Sequence, residues 1–331
     1  MENPYVKQYP DLMQGKTIMY VHGFGSSAQS GTVRRIRTTF PEARVVARDL
    51  PLHPGAALDL LHGFCETERP DLIIGTSMGG MYGEMLYGYD RILVNPAFEM
   101  GETMHDHNLM GKQTWMNPRE DGEKEFLVTK SLVKEYKETT ELCFAHVTAD
   151  EQRHVYGLFG DHDPLVHTFD LFHSHYRQAI HFHGEHRLDD RAFFDAVVPV
   201  MRWIDDRQEG RERGVVYIDA STLKDGYGHP KSSLQKAFKM LIETYQVYIV
   251  APAPTEDPTD VAAMQAWVRD TLDAAAWNHV VFCNCKSLLF GDYLIDSSPD
   301  TGFLGTVVPF GSDEMKTWED VMIYFERLGG Q

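Results

Sequence analysis

The stretch Ile73-Ile74-Gly75-Thr76-Ser77-Met78-Gly79-Gly80 decides the fold of the first half of this chain. It sets a serine in a G-x-S-x-G pattern, after the apolar run 72–74 and before a segment of helical character. Small residues two before and two after the serine let a strand turn sharply into a helix without a Cβ clash. The Ser77 hydroxyl would then stand at the carboxyl edge of a sheet, near the positive end of a helix dipole. The alternative is a glycine-rich turn without chemistry, because such pentapeptides also occur by chance.

Three other predicted strands lead into polar segments in the order that an α/β-hydrolase requires. The strands are 17–21, 154–159 and 179–183, and the segments are His22-Gly23-Phe24, Gly160-Asp161-His162-Asp163 and Gly184-Glu185-His186. Serine, aspartate and histidine thus follow the Ser…Asp…His order of this fold, each just after a strand. The sequence therefore predicts a catalytic triad of Ser77, Asp163 and His186. The backbone N–H groups of Phe24 and Met78 are predicted to form the oxyanion hole.

Two choices in this assignment depend on position. Asp163 is preferred to Asp161 because Gly160 makes the turn and the second carboxylate then points at the histidine, which leaves Asp161 as a solvated or capping residue. Nine histidines lie between His146 and His186 and suggest a metal site. Histidines that alternate along a strand point to opposite faces, so we expect no metal there.

The first half, roughly residues 16–205, resembles the YqiA-like small bacterial esterases. The matching segments are Val21–Ser27, Gly75–Tyr82, Val94-Asn95-Pro96-Ala97, Gly160–Asp163 and Gly184–His186. The resemblance implies an α/β-hydrolase with a mostly parallel sheet and no large inserted lid, acting on simple acyl esters without a cofactor. The polar stretch between Phe98 and Ala145 is expected to form short helices near the mouth of the site and to set substrate choice.

A second α/β domain is predicted after a linker. The stretch from Asp205 to Gly214 holds no apolar residue, which indicates a linker at 207–214 between domains at 1–206 and 215–331. Strands then alternate with helices, as in a smaller, Rossmann-like doubly wound fold. The expected strands are 215–219, 246–250, 279–283, 293–296 and 305–310, and the expected helices are 232–244 and 259–276.

This second half resembles the 5′-deoxyribonucleotidase-like branch of the haloacid-dehalogenase (HAD) superfamily. The resemblance rests on Val215–Asp219, Tyr245–Ala253 with Glu256-Asp257-Pro258, Lys286-Ser287-Leu288, Gly291–Asp296 and Thr317–Val321. It implies that Asp219 holds the position of the nucleophile, Lys286 that of the phosphate-binding lysine, and Asp296 that of a Mg²⁺ ligand. Ser221 stands where the acid/base aspartate belongs, and Ser297 where a second acidic residue is expected.

These departures predict that the second domain has lost phosphohydrolase activity. A serine does not shuttle protons at neutral pH as a carboxylate does, and one carboxylate fewer weakens Mg²⁺ binding. The domain would still bind a phosphate or nucleotide through Lys286, or serve only for packing or oligomerisation.

The composition of the whole chain limits the kinds of partner that it can have. A net charge of −18 argues against nucleic-acid binding, and no apolar run is long enough to span a membrane. Four cysteines without metal-ligand spacing and an N-terminus without a signal-peptide pattern favour the cytoplasm. The sequence thus predicts a serine hydrolase for a small-molecule acyl ester. The alternatives are a non-catalytic ligand-binding or sensor protein, and a bifunctional esterase and phosphatase.

Overall fold

The computed structural model describes residues 11–298 and 301–329, which divide into two compact units between Gln208 and Glu209. Residues 1–4, on which the absence of a signal peptide was inferred, lie outside the described residues. A helix runs to Glu209, so the predicted linker at 207–214 is wrong for its first three residues. Their polarity belongs to the exposed last turn of this helix, not to an unstructured segment.

The first unit is built on a parallel sheet of six strands in the order β2-β1-β3-β4-β7-β8. The strands are Thr17–Val21 (β1), Arg44–Ala47 (β2), Leu72–Thr76 (β3), Arg91–Val94 (β4), Val155–Gly160 (β7) and Ala179–Phe182 (β8). β1 and β4 are buried along their whole length, as expected of central strands in a parallel sheet covered on both faces. The carboxyl ends of β3, β7 and β8 are thereby brought to one edge of the sheet.

Helices alternate with these strands and bury their apolar residues in the same core. They are Gly31–Thr39 (α1), Pro54–Glu68 (α2), Met78–Glu84 (α3), Met100–Asp106 (α4), Lys130–Thr140 (α5), Phe169–His175 (α6), Asp190–Ala192 (α7) and Val198–Glu209 (α8), with a π-helical turn at Phe193–Val197. α1 begins at Ser30, whose hydroxyl accepts the N–H of Val33 at 3.4 Å. α5 begins in the same way at Thr129, which accepts the N–H of Leu132 at 3.1 Å.

The segment between Phe98 and Ala145 is only partly helical. It contains short helices, as expected, in α4 and α5. It also forms an antiparallel hairpin of Gly111–Thr114 (β5) and Glu125–Val128 (β6), which was not predicted. The first strand of the hairpin is polar, and Phe126 and Val128 on the second strand supply its buried side chains. Apolar burial on one strand only leaves little periodic signal in the sequence.

The second unit has its own parallel sheet of five strands, in the order β11-β10-β9-β12-β13. Its strands are Val215–Asp219 (β9), Gln246–Ala251 (β10), Val280–Phe282 (β11), Tyr293–Asp296 (β12) and Thr306–Pro309 (β13), and its helices are Leu234–Thr244 (α9), Thr259–Leu272 (α10) and Trp318–Gly329 (α11). α10 is shorter than predicted because the chain turns at Asp273, whose φ is +60°. The two parallel sheets with their helices confirm the α/β fold class.

In the described part of the chain, none of the helices combines the length and the apolar character that crossing a bilayer requires.

Candidate active site

Ser77 lies on a strained turn between β3 and α3. Its φ of +55° and ψ of −121° fall in a region that a residue with a side chain adopts at a cost of about 1–3 kcal/mol. Two hydrogen bonds hold the turn: the Ser77 N–H donates to the Val94 carbonyl at 2.9 Å, and the Ala97 N–H donates to the Ser77 carbonyl at 3.0 Å. The predicted strand, serine and helix therefore occur in that order, with the serine in a strained conformation.

The two glycines around Ser77 are required by close backbone approaches. A Cβ on Gly75 would lie 2.3 Å from the Gly79 carbonyl oxygen, and a Cβ on Gly79 would lie 2.0 Å from the Val21 carbonyl oxygen. Both distances are far below van der Waals contact. The G-x-S-x-G pattern is thus explained by the packing of α3 against β1 and β3.

The structure brings Ser77, His186 and Asp163 together in one hydrogen-bonded chain. His186 Nδ1 lies 2.8 Å from Asp163 Oδ2, and His186 Nε2 lies 3.0 Å from Ser77 Oγ. Since a carboxylate only accepts hydrogen bonds, the proton belongs on Nδ1, and the Ser77 hydroxyl donates to Nε2. This tautomer allows the imidazole to accept a proton from the serine.

Asp163 is held as a carboxylate. Its side chain is 2% exposed, and burial by itself would oppose ionisation. The hydrogen bonds from His186 and from the N–H groups of Leu165 and Val166 outweigh burial and hold the Asp163 pKa below its usual value. Asp163 therefore stays negatively charged at neutral pH beside the imidazole.

Asp161 faces a different set of groups. It accepts hydrogen bonds from His183 Nδ1 at 2.6 Å, His162 Nδ1 at 2.7 Å and the Gly184 N–H at 3.1 Å. It connects the loop after β7 to the loop after β8 and makes no hydrogen bond to His186. The sequence predicted a solvated or capping residue here; Asp161 is exposed and accepts a backbone N–H, and its hydrogen bonds also hold the two loops together.

The loop after β1 lies directly against the serine. A Cβ on Gly23 would lie 3.3 Å from Ser77 Cβ and 3.9 Å from Ser77 Oγ. In the part of the chain that the structure describes, neither the Phe24 N–H nor the Met78 N–H makes a hydrogen bond. Both predicted oxyanion donors are thus available on the two segments that meet at Ser77.

His22 orients this loop, a role that the sequence analysis missed. Its Nδ1 donates to the Gly23 carbonyl at 2.8 Å, and its Nε2 accepts the Leu50 N–H at 3.1 Å. Because the N–H and C=O of a trans peptide point in opposite directions, fixing the Gly23 carbonyl also fixes the Phe24 N–H. Burial lowers the pKa of His22 to about 4, so the ring is neutral at pH 7. In the sequence, only the position of this histidine directly before Gly23 indicated such a role.

The loop between β5 and β6 lies beside residues 22–30, which follow β1 and are called the oxyanion loop because they hold the Phe24 N–H. It forms one wall of a cleft. The Met116 N–H donates to the Gly25 carbonyl at 2.8 Å, and the Phe24 and Phe126 rings meet edge to face with centroids 5.3 Å apart. A cleft of about 440 Å³ opens next to Phe126. It is lined by Asp49, Pro51, Leu52, Trp115, Arg119, Glu120, Asp121, Glu123 and Phe126.

In the second unit, the predicted residues cluster around a lysine. Lys286 Nζ lies 2.6 Å from Asp219 Oδ2 and 2.5 Å from Asp296 Oδ2, while the Ser221 and Ser297 hydroxyls are hydrogen-bonded at 2.7 Å. Partial burial disfavours the ammonium, but the two carboxylates outweigh burial and raise the Lys286 pKa. One lysine thus faces two aspartates, so its ammonium is already engaged by acidic groups that compete with a phosphate for it.

This cluster does not fit Mg²⁺. Both Oδ2 atoms hold the ammonium, and the two Oδ1 atoms accept the N–H groups of Ser221 and Ser298 at 2.9 and 2.8 Å. Mg²⁺ requires near-octahedral oxygen coordination at about 2.0–2.1 Å. Within residues 11–298 and 301–329, no group of three or more histidine, cysteine or acidic side chains is arranged to hold a metal.

Curated relatives and solved structures add two kinds of similarity. The chain is 32% identical over 98 residues to a putative 5′(3′)-deoxyribonucleotidase of Vibrio phage KVP40, and 32% identical over 102 residues to one of Staphylococcus aureus. These matches cover 29% and 28% of this chain, which spans only 58% and 56% of the relatives' own lengths.

Among solved structures, Est1E from Butyrivibrio proteoclasticus matches with 14% identity and a TM-score of 0.38, over 62% of this chain and 91% of that chain. A thioesterase domain from the curacin biosynthetic pathway matches with 15% identity and a TM-score of 0.34, over 57% and 90%. These similarities are too weak to support an inference about the substrate.

A protein-family model matches residues 17–184, which hold the predicted nucleophile and the predicted acid and end two residues before His186. This family match and the deoxyribonucleotidase matches given above together confirm the two resemblances drawn from the sequence, to the YqiA-like esterases and to the deoxyribonucleotidases. Since the match covers 168 of 331 residues, the chain belongs to the uncharacterised protein family UPF0227.

Proposed function

We propose that this protein is a serine esterase that hydrolyses small carboxylic esters. The observation that carries the proposal is the hydrogen-bonded chain from Asp163 through His186 to Ser77, with the serine on a strained turn. A nucleophile within reach of a base, itself oriented by a third group, is the arrangement that activates a serine.

The reaction proceeds in two halves. Ser77 Oγ attacks the ester carbonyl while His186 Nε2 takes its proton, and the Phe24 and Met78 N–H groups stabilise the oxyanion. The protonated His186 then gives that proton to the leaving alcohol, which leaves an acyl group on Ser77. In the second half, His186 takes a proton from water as the water oxygen attacks the acyl carbon. His186 then returns this proton to Ser77 Oγ as the bond between Oγ and the acyl carbon breaks, which releases the acid and restores the free serine. Asp163 holds the imidazole tautomer and stabilises its positive charge throughout.

The proposal is tested with a fluorophosphonate probe and with short-chain p-nitrophenyl esters. We expect the probe to label Ser77, and Ser77→Ala to lower turnover by several orders of magnitude. Ser174→Ala is the matched control, since that hydroxyl donates only to the Leu171 carbonyl on an exposed helix end. Unchanged ester hydrolysis in Ser77→Ala would refute the proposal. A folded wild-type protein that neither reacts with the probe nor hydrolyses esters would favour a non-catalytic binding protein.

A further inference from the structure

Asn95 is the residue at which the three loops of the site converge. It follows β4, is 2% exposed, and has a φ of +44°, in the left-handed region that asparagine tolerates better than most residues. Its backbone N–H donates to the Leu158 carbonyl at 2.8 Å, which fixes the residue against β7.

The side chain of Asn95 connects the loop of the acid to the loop of the base. Oδ1 accepts the Gly160 N–H at 2.7 Å, at the start of the loop that carries Asp163. Nδ2 donates to the carbonyls of Glu185 and His186 at 2.9 and 3.1 Å. One amide group thus spans the two loops and uses both of its donor hydrogens and its acceptor oxygen.

The nucleophile is fixed by the same segment. The neighbours of Asn95 in the chain hold Ser77 on both sides, through the Val94 carbonyl and the Ala97 N–H. A displacement of residues 94–97 would therefore move serine, acid and base relative to one another. Proton transfer is sensitive to such displacements, and about 1 Å costs roughly a hundredfold in rate.

We propose that Asn95 is a positioning residue that sets the distance between His186 and its two partners. The proposal rests on the proposed esterase mechanism, and it assigns to Asn95 no contact with the substrate. Asn95→Asp tests it most sharply, because the shape is kept while a carboxylate replaces the donor that faces two carbonyl oxygens. Repulsion between these oxygens would push the backbone of His186 away.

We expect Asn95→Asp to lower kcat for p-nitrophenyl acetate about a hundredfold and to leave KM within about twofold. The low-field proton resonance of the His186 Nδ1–H, hydrogen-bonded to Asp163, should shift or vanish, whether or not the ester is a substrate. Thr39→Val is the matched control: it removes a 2.8 Å hydrogen bond to the Arg35 carbonyl within α1, from a residue that is 0% exposed and is no part of the 94–97 segment. The control should keep both kcat and the resonance.

Three outcomes would overturn the proposal. The first is an Asn95→Asp protein with wild-type kcat and an unchanged resonance. The second is an equal loss in Thr39→Val. The third is that neither Asn95→Asp nor the uncharged Asn95→Ala folds, which would make Asn95 a determinant of the fold. An inactive wild type would refute the esterase, and the resonance would still decide the role of Asn95.

Discussion

At the scale of single residues, the two aspartates after β7 have the same chemistry and different partners. Asp163 faces His186, whereas Asp161 faces His183, His162 and the Gly184 N–H. An imidazole that must alternate between neutral and protonated forms needs its carboxylate on the far nitrogen. Of these two aspartates, only Asp163 satisfies this requirement, although Asp161 lies just two residues before it.

We therefore expect Asp163→Asn to lower kcat for p-nitrophenyl acetate by about 10⁴-fold, because an amide stabilises the wrong tautomer of His186. Asp161→Asn should lower it only a few-fold, since the carboxamide oxygen still accepts one of the hydrogen bonds between the loops. Steady-state kinetics of the two variants at pH 8 provide the comparison. If Asp161→Asn is the more damaging change, the acid has been assigned to the wrong residue.

His22 makes stability depend on pH in a predictable direction. Its pKa falls from about 6.5 in the unfolded chain to about 4 in the folded protein, because burial disfavours the charged ring. The folded state then binds fewer protons than the unfolded state between these values, so stability falls as the pH drops from 6.5 towards 4. At pH 5 the difference amounts to about 2 kcal/mol relative to pH 8.

Urea unfolding of the wild type and of His22→Gln, each at pH 8 and pH 5, isolates this contribution. The wild type should lose about 2 kcal/mol more of its free energy of unfolding than the variant does between the two pH values. Other titrating groups contribute equally to both proteins and cancel in the difference. Equal losses in the two proteins would show that His22 is not buried as a neutral ring.

At the scale of elements, local sequence patterns predicted those elements whose residues are close together in the chain. The strands and the turn at Ser77 carry their signals within a few residues: an apolar run, two glycines and a helix start. The hairpin of β5 and β6 carries no such signal, because its first strand is polar. The contacts of His22 with Leu50 and of Asn95 with Glu185 join residues 28 and 90 positions apart, so no local pattern contains them.

Asp49 gives the hairpin a testable connection to the oxyanion loop. Its Oδ1 accepts the Ala28 N–H and its Oδ2 accepts the Glu120 N–H, both at 2.7 Å. Asp49→Ala removes both acceptors, and hydrogen bonds to charged groups contribute about 1.5–3 kcal/mol each. We expect a glutamate-specific protease to cleave after Glu120 and Glu123 at least about tenfold faster in this variant, as mass spectrometry would measure. Asp59→Ala, on the exposed face of α2, should cleave at the wild-type rate, and a matching rate in Asp49→Ala would contradict the connection.

At the scale of the whole molecule, each unit contains its own cluster of polar residues, and the two clusters differ in their chemistry. The first cluster is the hydrogen-bonded chain of Asp163, His186 and Ser77. In the second, Lys286 neutralises one of two carboxylates that are 8% and 1% exposed, so the cation is supplied by the chain itself. The wild type should accordingly not hydrolyse deoxynucleoside monophosphates or p-nitrophenyl phosphate with Mg²⁺, and its Tm should not respond to Mg²⁺ or phosphate.

Lys286→Met tests this interpretation, because it leaves Asp219 and Asp296 facing each other without a cation. Removing one partner of a fully buried ion pair costs about 3–5 kcal/mol. Here the carboxylates are buried and the lysine is partly exposed, so the variant should lose less than this and still melt at a lower temperature. Mg²⁺ or Ca²⁺ should raise the Tm of the variant, since a divalent cation then finds two free carboxylates where the ammonium was. Lys316→Met, which removes an exposed lysine from the same unit, should match the wild type in both respects.

Ester hydrolysis should be unchanged in Lys286→Met, because every residue of the proposed mechanism belongs to the first unit. Phosphatase turnover in the wild type that Asp219→Asn abolishes would contradict this interpretation and make the chain bifunctional. A wild-type Tm that rises with phosphate, and does so no longer in Lys286→Met, would instead show that the lysine binds an anion. This second result would mean that Lys286 leaves at least one of its two carboxylates when the anion binds.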